Sequence, residues 1–456
     1  MRESLSLIVL FLVFFVLLPS IDAFLGTPRA PVHLRSITTT RLAMASSSSS
    51  KVLLPRLSGK IRRTLDPCVV LMKEMIGQYA SSWEDRGGIH SLAQGVVYWT
   101  PPDSCTTALQ QALESEKSDL HMYGPDEGMG DLRAILQHKL AAENRLTDHD
   151  VMVTVGANQA YVNCVLTLLQ DTDKCVVFKP YYFNHVMALQ MTLSETSILT
   201  GPSDAAGVPN MAWLRQQLQD DQNIQMVTLT NPGNPTGVAL TRKVLQEAVD
   251  LCRAHNCWLV LDCTYEYFTA DGQDFEGCFA DPHVIHIFSL SKAYALAGYR
   301  CGYVAVSCQA DQLFAEMLKV QDTIPIAPSR ISQVAATGAL EAGTGWVREK
   351  VATLDVGRQA VQSALSPLPI MGGSGAMYVM AELPVSSSGD VVDDVQVARE
   401  LVRDYGVAVI PGTFCGFPGW IRVCYANLPP EKCQQAAARL RTGIQALVAA
   451  ASTSAG

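Results

Sequence analysis

The chain has 456 residues, of which 48% are hydrophobic and 17% charged, with 32 Gly and 23 Pro. That composition excludes a disordered tail protein, a collagen-like repeat and a small disulfide scaffold. With 34 Lys/Arg against 43 Asp/Glu, the net charge of −9 gives nucleic-acid binding no electrostatic support. The length predicts two or three compact units around a large core.

The charge is uneven. Residues 1–60 carry seven Lys/Arg against two Asp/Glu, and the remainder carries 27 against 41, so a basic leader precedes an acidic body. Arg2 opens a short charged start, and Leu5 to Leu18 is almost unbroken Leu, Ile, Val and Phe. The run is short for a membrane span. Pro19 stops it and Ala23 offers a small residue for cleavage, so residues 1–23 read as a signal peptide, with an uncleaved anchor as the alternative. Residues 24–60 read as a transit-like segment. No Asp or Glu occurs from Phe24 to Leu65, whereas Arg29, Arg35, Arg41, Lys51 and the Ser46–Ser50 run do. This order resembles the two-part presequence of algae with secondary plastids. It implies delivery to a plastid stroma, with no membrane contact in the mature form; plain secretion is the rival. Thirteen cysteines without a C-x-x-C pair fit buried thiols in a reducing compartment and offer no metal site.

In the body, short apolar runs alternate with helical patterns. Strands are expected at Val151–Val155, Cys175–Phe178, Met226–Leu229, Trp258–Leu261, Val284–Phe288 and Tyr303–Val306. Helices are expected at Asn158–Leu169 and Thr241–His255. This alternation predicts an α/β fold with a mostly parallel sheet covered on both faces. Met377–Leu383 and Val407–Val409 are later strand candidates, and Pro430–Ala450 a helix. The expected division is a first part of a small domain over 61–101, a large domain over 102–330, the rest of a smaller α+β domain over 331–450 and a tail over 451–456.

Residues with chemical potential come directly after several of these strands, where open α/β sheets gather their sites. Lys292, in Ser289-Leu290-Ser291-Lys292, sits just past an apolar run, where desolvation lowers an amine's pKa. Such an amine can condense with an aldehyde, and Ser289, Ser291 and Arg300 can hold a phosphate. Asp262 ends another apolar run and suits a carboxylate facing a pyridine nitrogen, with Tyr265 close behind it. A helix cap is the plainer reading of that Asp alone. Thr230 to Gly237, with two Asn-Pro steps, fixes a tight polar turn that presents Asn234. Gly156-Ala157-Asn158 lies between a strand and a helix, an arrangement that favours anions. Tyr182 can stack on a ring or simply pack in a core.

Taken together, these strings resemble the class I/II aminotransferases, fold-type I enzymes of pyridoxal 5′-phosphate, over roughly residues 60–450. The resemblance implies that Lys292 forms the internal aldimine and moves the substrate Cα proton. It implies that Asp262 holds the pyridine nitrogen, and that Asn234 and Tyr265 hold the phenolic oxygen. Ala157, Asn158, Ser289, Ser291 and Arg300 match phosphate positions, and Tyr182 the stacking aromatic. Tyr123 matches a tyrosine that reaches the partner subunit's phosphate, which implies a homodimer. Arg422 matches the arginine that grips the substrate carboxylate, with Gly95 close by.

A subset looks closer still. Leu92 to Trp99, Tyr123 to Gly128, Thr264 to Phe268 and Val320 to Pro325 resemble plant-type aromatic aminotransferases that use methionine and aromatic 2-oxo acids. Tyr98 beside Gly95 offers an apolar pocket wall. Two other readings stay open. One is a carbon–sulfur lyase or aminocyclopropane-carboxylate-synthase-like enzyme on the same cofactor. The other is a non-catalytic cofactor-binding regulator.

Overall fold

In a computed structural model of the chain, residues 55–115, 118–269, 275–385 and 391–453 are described. The signal peptide, the transit-like segment up to residue 54 and residues 454–456 of the tail lie outside them. In chain order the strands are β1 (His90–Ser91), β2 (His149–Thr154), β3 (Lys174–Phe178), β4 (Ile198–Gly201), β5 (Ile224–Thr230), β6 (Trp258–Asp262) and β7 (Val284–Ser289). They continue as β8 (Gly302–Ser307), β9 (Ile370–Gly372), β10 (Tyr378–Glu382), β11 (Val407–Ala408), β12 (Ile410–Pro411) and β13 (Trp420–Cys424).

Seven strands form one sheet in the order β2-β8-β7-β6-β5-β3-β4. Pairs β3–β4, β3–β5, β5–β6 and β6–β7 are parallel, while β8 runs antiparallel to both its neighbours. The expected α/β class and mostly parallel sheet are what the chain forms. Its strands are apolar on both faces because helices cover both. Leu259 and Leu261 pack with Leu132, Leu214 and Leu245, from helices Gly130–Asn144, Met211–Asp220 and Arg242–Ala254. Their neighbour Val260, with Ile285 and Ile287, packs on the other side with Tyr161, Val165, Leu189 and Met317. Those come from helices Gly156–Leu168, Phe183–Thr192 and Leu313–Thr323.

The C-terminal part adds an antiparallel sheet, β12-β13-β10-β9, in which Arg422 stands opposite Met380 and Ile410. Early β1 pairs in parallel with late β11, His90 against Val407. The expected strand at Val407–Val409 is β11, ending at Ala408, and a separate strand, β12, follows from Ile410 in the other sheet. The last helix runs from Pro430 to Thr453, past the expected end at Ala450. Strand β4 has no sequence signal: it is a short, half-buried strand at the edge of the sheet, paired among the described residues with β3 alone.

The basic stretch also has structure beyond residue 58. A short helix, Gly59–Arg63, sets Lys60 on the Thr192 carbonyl and Arg63 on the Leu193 carbonyl at 2.7 Å. These cations satisfy carbonyls at the C-terminal end of helix Phe183–Thr192. Among the described residues no helix is long and apolar enough to cross a membrane.

Candidate active site

Strands β2, β3, β5, β6 and β7 end on one edge of the large sheet, and antiparallel β8 begins there. A cavity of 360 Å³ lies at that edge, lined also by Tyr378 of β10 and Arg422 of β13.

Asp262, the last residue of β6, is buried. The Thr264 backbone N–H donates to its Oδ1 at 3.0 Å, and His185 Nε2 lies 3.1 Å from its Oδ2. Burial pushes this carboxyl up, but the His185 bond and charge, with the Thr264 amide, outweigh it and hold it below the ordinary value. His185 is itself fixed by stacking on Tyr161, with ring centroids 4.0 Å apart.

Lys292, three residues beyond β7, donates through Nζ to the Gly95 carbonyl at 2.5 Å. Burial lowers its amine to about 8; Cys424 opposes the shift, and the charges of Arg300 and Arg422 add to it. Gly95 has room for no side chain, because a Cβ would lie 2.2 Å from the Tyr378 hydroxyl. That hydroxyl shares a 2.6 Å hydrogen bond with Tyr265.

A third corner suits an anion. Helix Gly156–Leu168 starts just after β2, with Gly156 at φ +78°. A Cβ there would lie 2.4 Å from Arg300 Nη2, so the glycine lets the guanidinium cross the helix start. Arg300 donates to the Ala297 and Val155 carbonyls at 3.0 and 3.4 Å. Ala157, Asn158, Ser289 and Ser291 line the cavity with it. Free N–H groups of a helix start, hydroxyls and a guanidinium together bind an oxyanion.

Arg422 is buried. It donates to Asn234 Oδ1 at 2.9 Å and to the Ala93 carbonyl at 2.7 Å, over the Tyr378 ring at 4.5 Å. Its Nε has no partner among the described residues. Arg422 lines the cavity, and a planar guanidinium there suits a carboxylate.

Residues 90–440 match the family of class I and II aminotransferases. This chain belongs to that family. The aminotransferase is similar to the aromatic aminotransferase ISS1 of Arabidopsis thaliana, with 44% identity over 397 residues, 85% of this chain and 96% of the relative. It is 28% identical to the aspartate/prephenate aminotransferase of Thermus thermophilus, over 74% of this chain and 86% of that one. The solved structure of Thermus thermophilus aspartate aminotransferase with maleate superposes with a TM-score of 0.75 at 25% identity, covering 86% of this chain and all of that one. The family consists of pyridoxal-phosphate enzymes that exchange amino groups between amino acids and 2-oxo acids. Neither the lyase nor the regulator reading gains support from these relatives.

The aminotransferase cavity is lined by Gly95, Ala157, Asn158, Tyr182, Asn234, Asp262, Tyr265, Ser289, Ser291, Lys292, Arg300 and Arg422. Tyr98 and Tyr123 are not brought to it within one chain. After Val96 the backbone turns away, and Tyr98 packs edge-on against Trp99 with its hydroxyl on Thr353 Oγ1 at 2.7 Å. Tyr123 is 78% exposed, its carbonyl accepting from Arg330 at 3.1 and 3.3 Å. Two residues escaped sequence reasoning. His185 stands three positions after Tyr182 but carries no local sign of its partner Asp262. Tyr378 sits in an expected strand and looks like any core aromatic.

Proposed function

We propose that this aminotransferase moves the α-amino group between an aromatic or methionine-type amino acid and a 2-oxo acid, with pyridoxal 5′-phosphate held in the cavity around Lys292. One observation carries the reading. A buried amine lowered to about 8 shares a cavity with a buried, charged carboxylate and a buried guanidinium whose Nε has no partner among the described residues. The residues fit that cofactor. The cradle at Gly156 and Arg300 suits a phosphate, Asp262 suits a protonated ring nitrogen, and Gly95, with no side chain, lets the Tyr378 hydroxyl and the Lys292 amine come close to its backbone.

Bound there, the cofactor supplies an aldehyde for amines and an electron-withdrawing ring. Ala157, Asn158, Ser289, Ser291 and Arg300 hold its phosphate. Tyr182 would pack on its ring, and Asn234 and Tyr265 would hold its phenolic oxygen. Asp262, kept anionic by His185, holds the proton on the ring nitrogen. Arg422 binds the substrate carboxylate and so orients Cα toward Lys292. Lys292 Nζ, neutral above about pH 8, takes the Cα proton and returns it. Val69, Val96 and Phe183 add apolar wall to the cavity, which suits an uncharged side chain. The aromatic activity named for the Arabidopsis relative supports the same substrate class.

The exposed Tyr123, with its backbone pinned by Arg330, supports a homodimer in which it reaches the partner subunit's phosphate. The seven-stranded sheet supports a large domain over 102–330, and the four-stranded sheet with the β1–β11 pair supports a small one from 61–101 and 331–450. The acid-poor basic leader supports plastid import, which a fluorescent fusion of residues 1–60 tests. The deciding experiment for the reaction mixes the purified protein with methionine or an aromatic amino acid and a 2-oxo acid such as phenylpyruvate. Formation of the new amino acid is expected. Ammonia release without it overturns the reading in favour of a lyase.

A further inference from the structure

Gln321 is fully buried at the end of helix Leu313–Thr323, away from the cavity lining, and every hydrogen-bonding position of its amide is used. Its Nε2 donates to the Asp126 carbonyl at 3.0 Å and to the Val153 carbonyl at 2.9 Å. Its Oε1 accepts from Gln159 at 2.6 Å and from Asn163 at 2.8 Å. The four partners belong to three pieces of the site. Asp126 lies in the loop that carries Tyr123. Val153 is in the end of β2, just before Gly156. Gln159 is in the first turn of the helix whose start forms the anion cradle, and its own Oε1 accepts from the Val155 N–H at 2.6 Å.

The loop and the strand are also joined directly, since the Val153 N–H donates to the Glu127 carbonyl at 2.9 Å. Gly128, at φ +105°, lies so close that a Cβ would meet Val153 Cγ2 at 2.5 Å. Gln321 therefore ties both backbone carbonyls to the Gln159 cap at one point. A primary amide has two N–H donors and an oxygen with two acceptor sites, so no other side chain of this size matches the set. A carboxylate would face two carbonyls without a proton, and an apolar chain would strand all four partners.

We propose that Gln321 is a positioning residue for phosphate capture: it sets the helix start at Gly156–Asn158 and the Tyr123 loop in register with each other. It touches neither substrate nor cofactor and acts through Val155, Gln159 and Asp126. The inference rests on the cofactor reading above.

The test compares affinity for pyridoxal 5′-phosphate with affinity for pyridoxal, which lacks the phosphate, on enzyme stripped of cofactor. Three variants are used: Gln321→Met, Gln159→Met and, as a packing control on the same helix, Met317→Ala. Met317 is buried in the apolar layer beneath the sheet. The expected result is a fall of about tenfold in the phosphate-to-pyridoxal affinity ratio for Gln321→Met and Gln159→Met. Met317→Ala should lower the melting temperature and leave the ratio alone. An unchanged ratio in both glutamine variants overturns the proposal, as does an equal change in the control. Should Gln321→Met fail to fold, the half-buried Gln159 decides alone. Wild-type enzyme with no preference for the phosphorylated form would instead sink the cofactor reading.

Discussion

His185 Nε2 stands 3.1 Å from Asp262 Oδ2, with both side chains buried and the imidazole held flat on Tyr161. Burial alone would push the carboxyl up; the imidazole is the first of the influences that hold it down. Replacing it by His185→Phe keeps a ring on Tyr161 but removes the donor. The carboxyl of Asp262 should then rise, and the acid-side limb of kcat/KM against pH should move to higher pH, with turnover near neutrality down about tenfold. An unmoved acid limb would mean that Asp262 needs no such partner.

Lys292→Ala removes the amine that takes and returns the Cα proton. Turnover should drop by about a thousandfold or more, while the phosphate cradle, built from other residues, still retains cofactor. The check is steady-state kinetics together with cofactor content after gel filtration. Ordinary turnover in this variant would assign the proton transfer to another group.

Arg422→Lys exchanges a planar fork for a point charge. It loses the pair of bonds to Asn234 and Ala93 as well as the Nε donor. Substrate KM should rise about ten- to a hundredfold, with a smaller change in kcat. A KM equal to wild type would place carboxylate binding elsewhere.

Gly95→Ala is a steric test. The added methyl would lie 2.2 Å from the Tyr378 hydroxyl and 3.3 Å from its Cζ, so the tyrosine must leave its 2.6 Å bond with Tyr265. Overpacking of this kind costs about 1–3 kcal/mol, which calorimetry or chemical denaturation would read as lost stability. Stability at the wild-type level would show that the strand carrying Tyr378 yields freely.

The lowered amine of Lys292 has two consequences for pH. A lysine whose folded value lies near 8 is a stability cost that is full below that pH and fades as pH climbs toward the ordinary 10.5. The neutral amine, which alone condenses with an aldehyde, grows in the lower window, as pH approaches about 8 from below. Stripped enzyme should therefore capture pyridoxal 5′-phosphate faster as pH rises and level off above about 8. Stopped-flow absorbance tracks this, and a flat profile from about pH 6 to about pH 9 would contradict it.

Sequence alone settled local matters. Apolar runs such as Trp258 to Leu261 announced strands because they are buried on both faces. Asp262 and Lys292 were legible because they stand at or just beyond the ends of such strands, where the backbone leaves the core and side chains reach the site. The tight turn around Asn234 was legible for a related reason: Asn, Pro and Gly constrain their own backbone. Tertiary structure decided the partnerships. His185 meets Asp262, Tyr378 closes over Gly95, and Gln321 joins a loop to a helix start, because sheet register and helix packing bring distant segments together. It also placed β11 and β12, one residue apart in the chain, in different sheets and turned Tyr98 away from the cavity. No residue in those pairs carries a local sign of its partner. Each bond is a property of the distance between two backbones, which forms only once the whole core has packed.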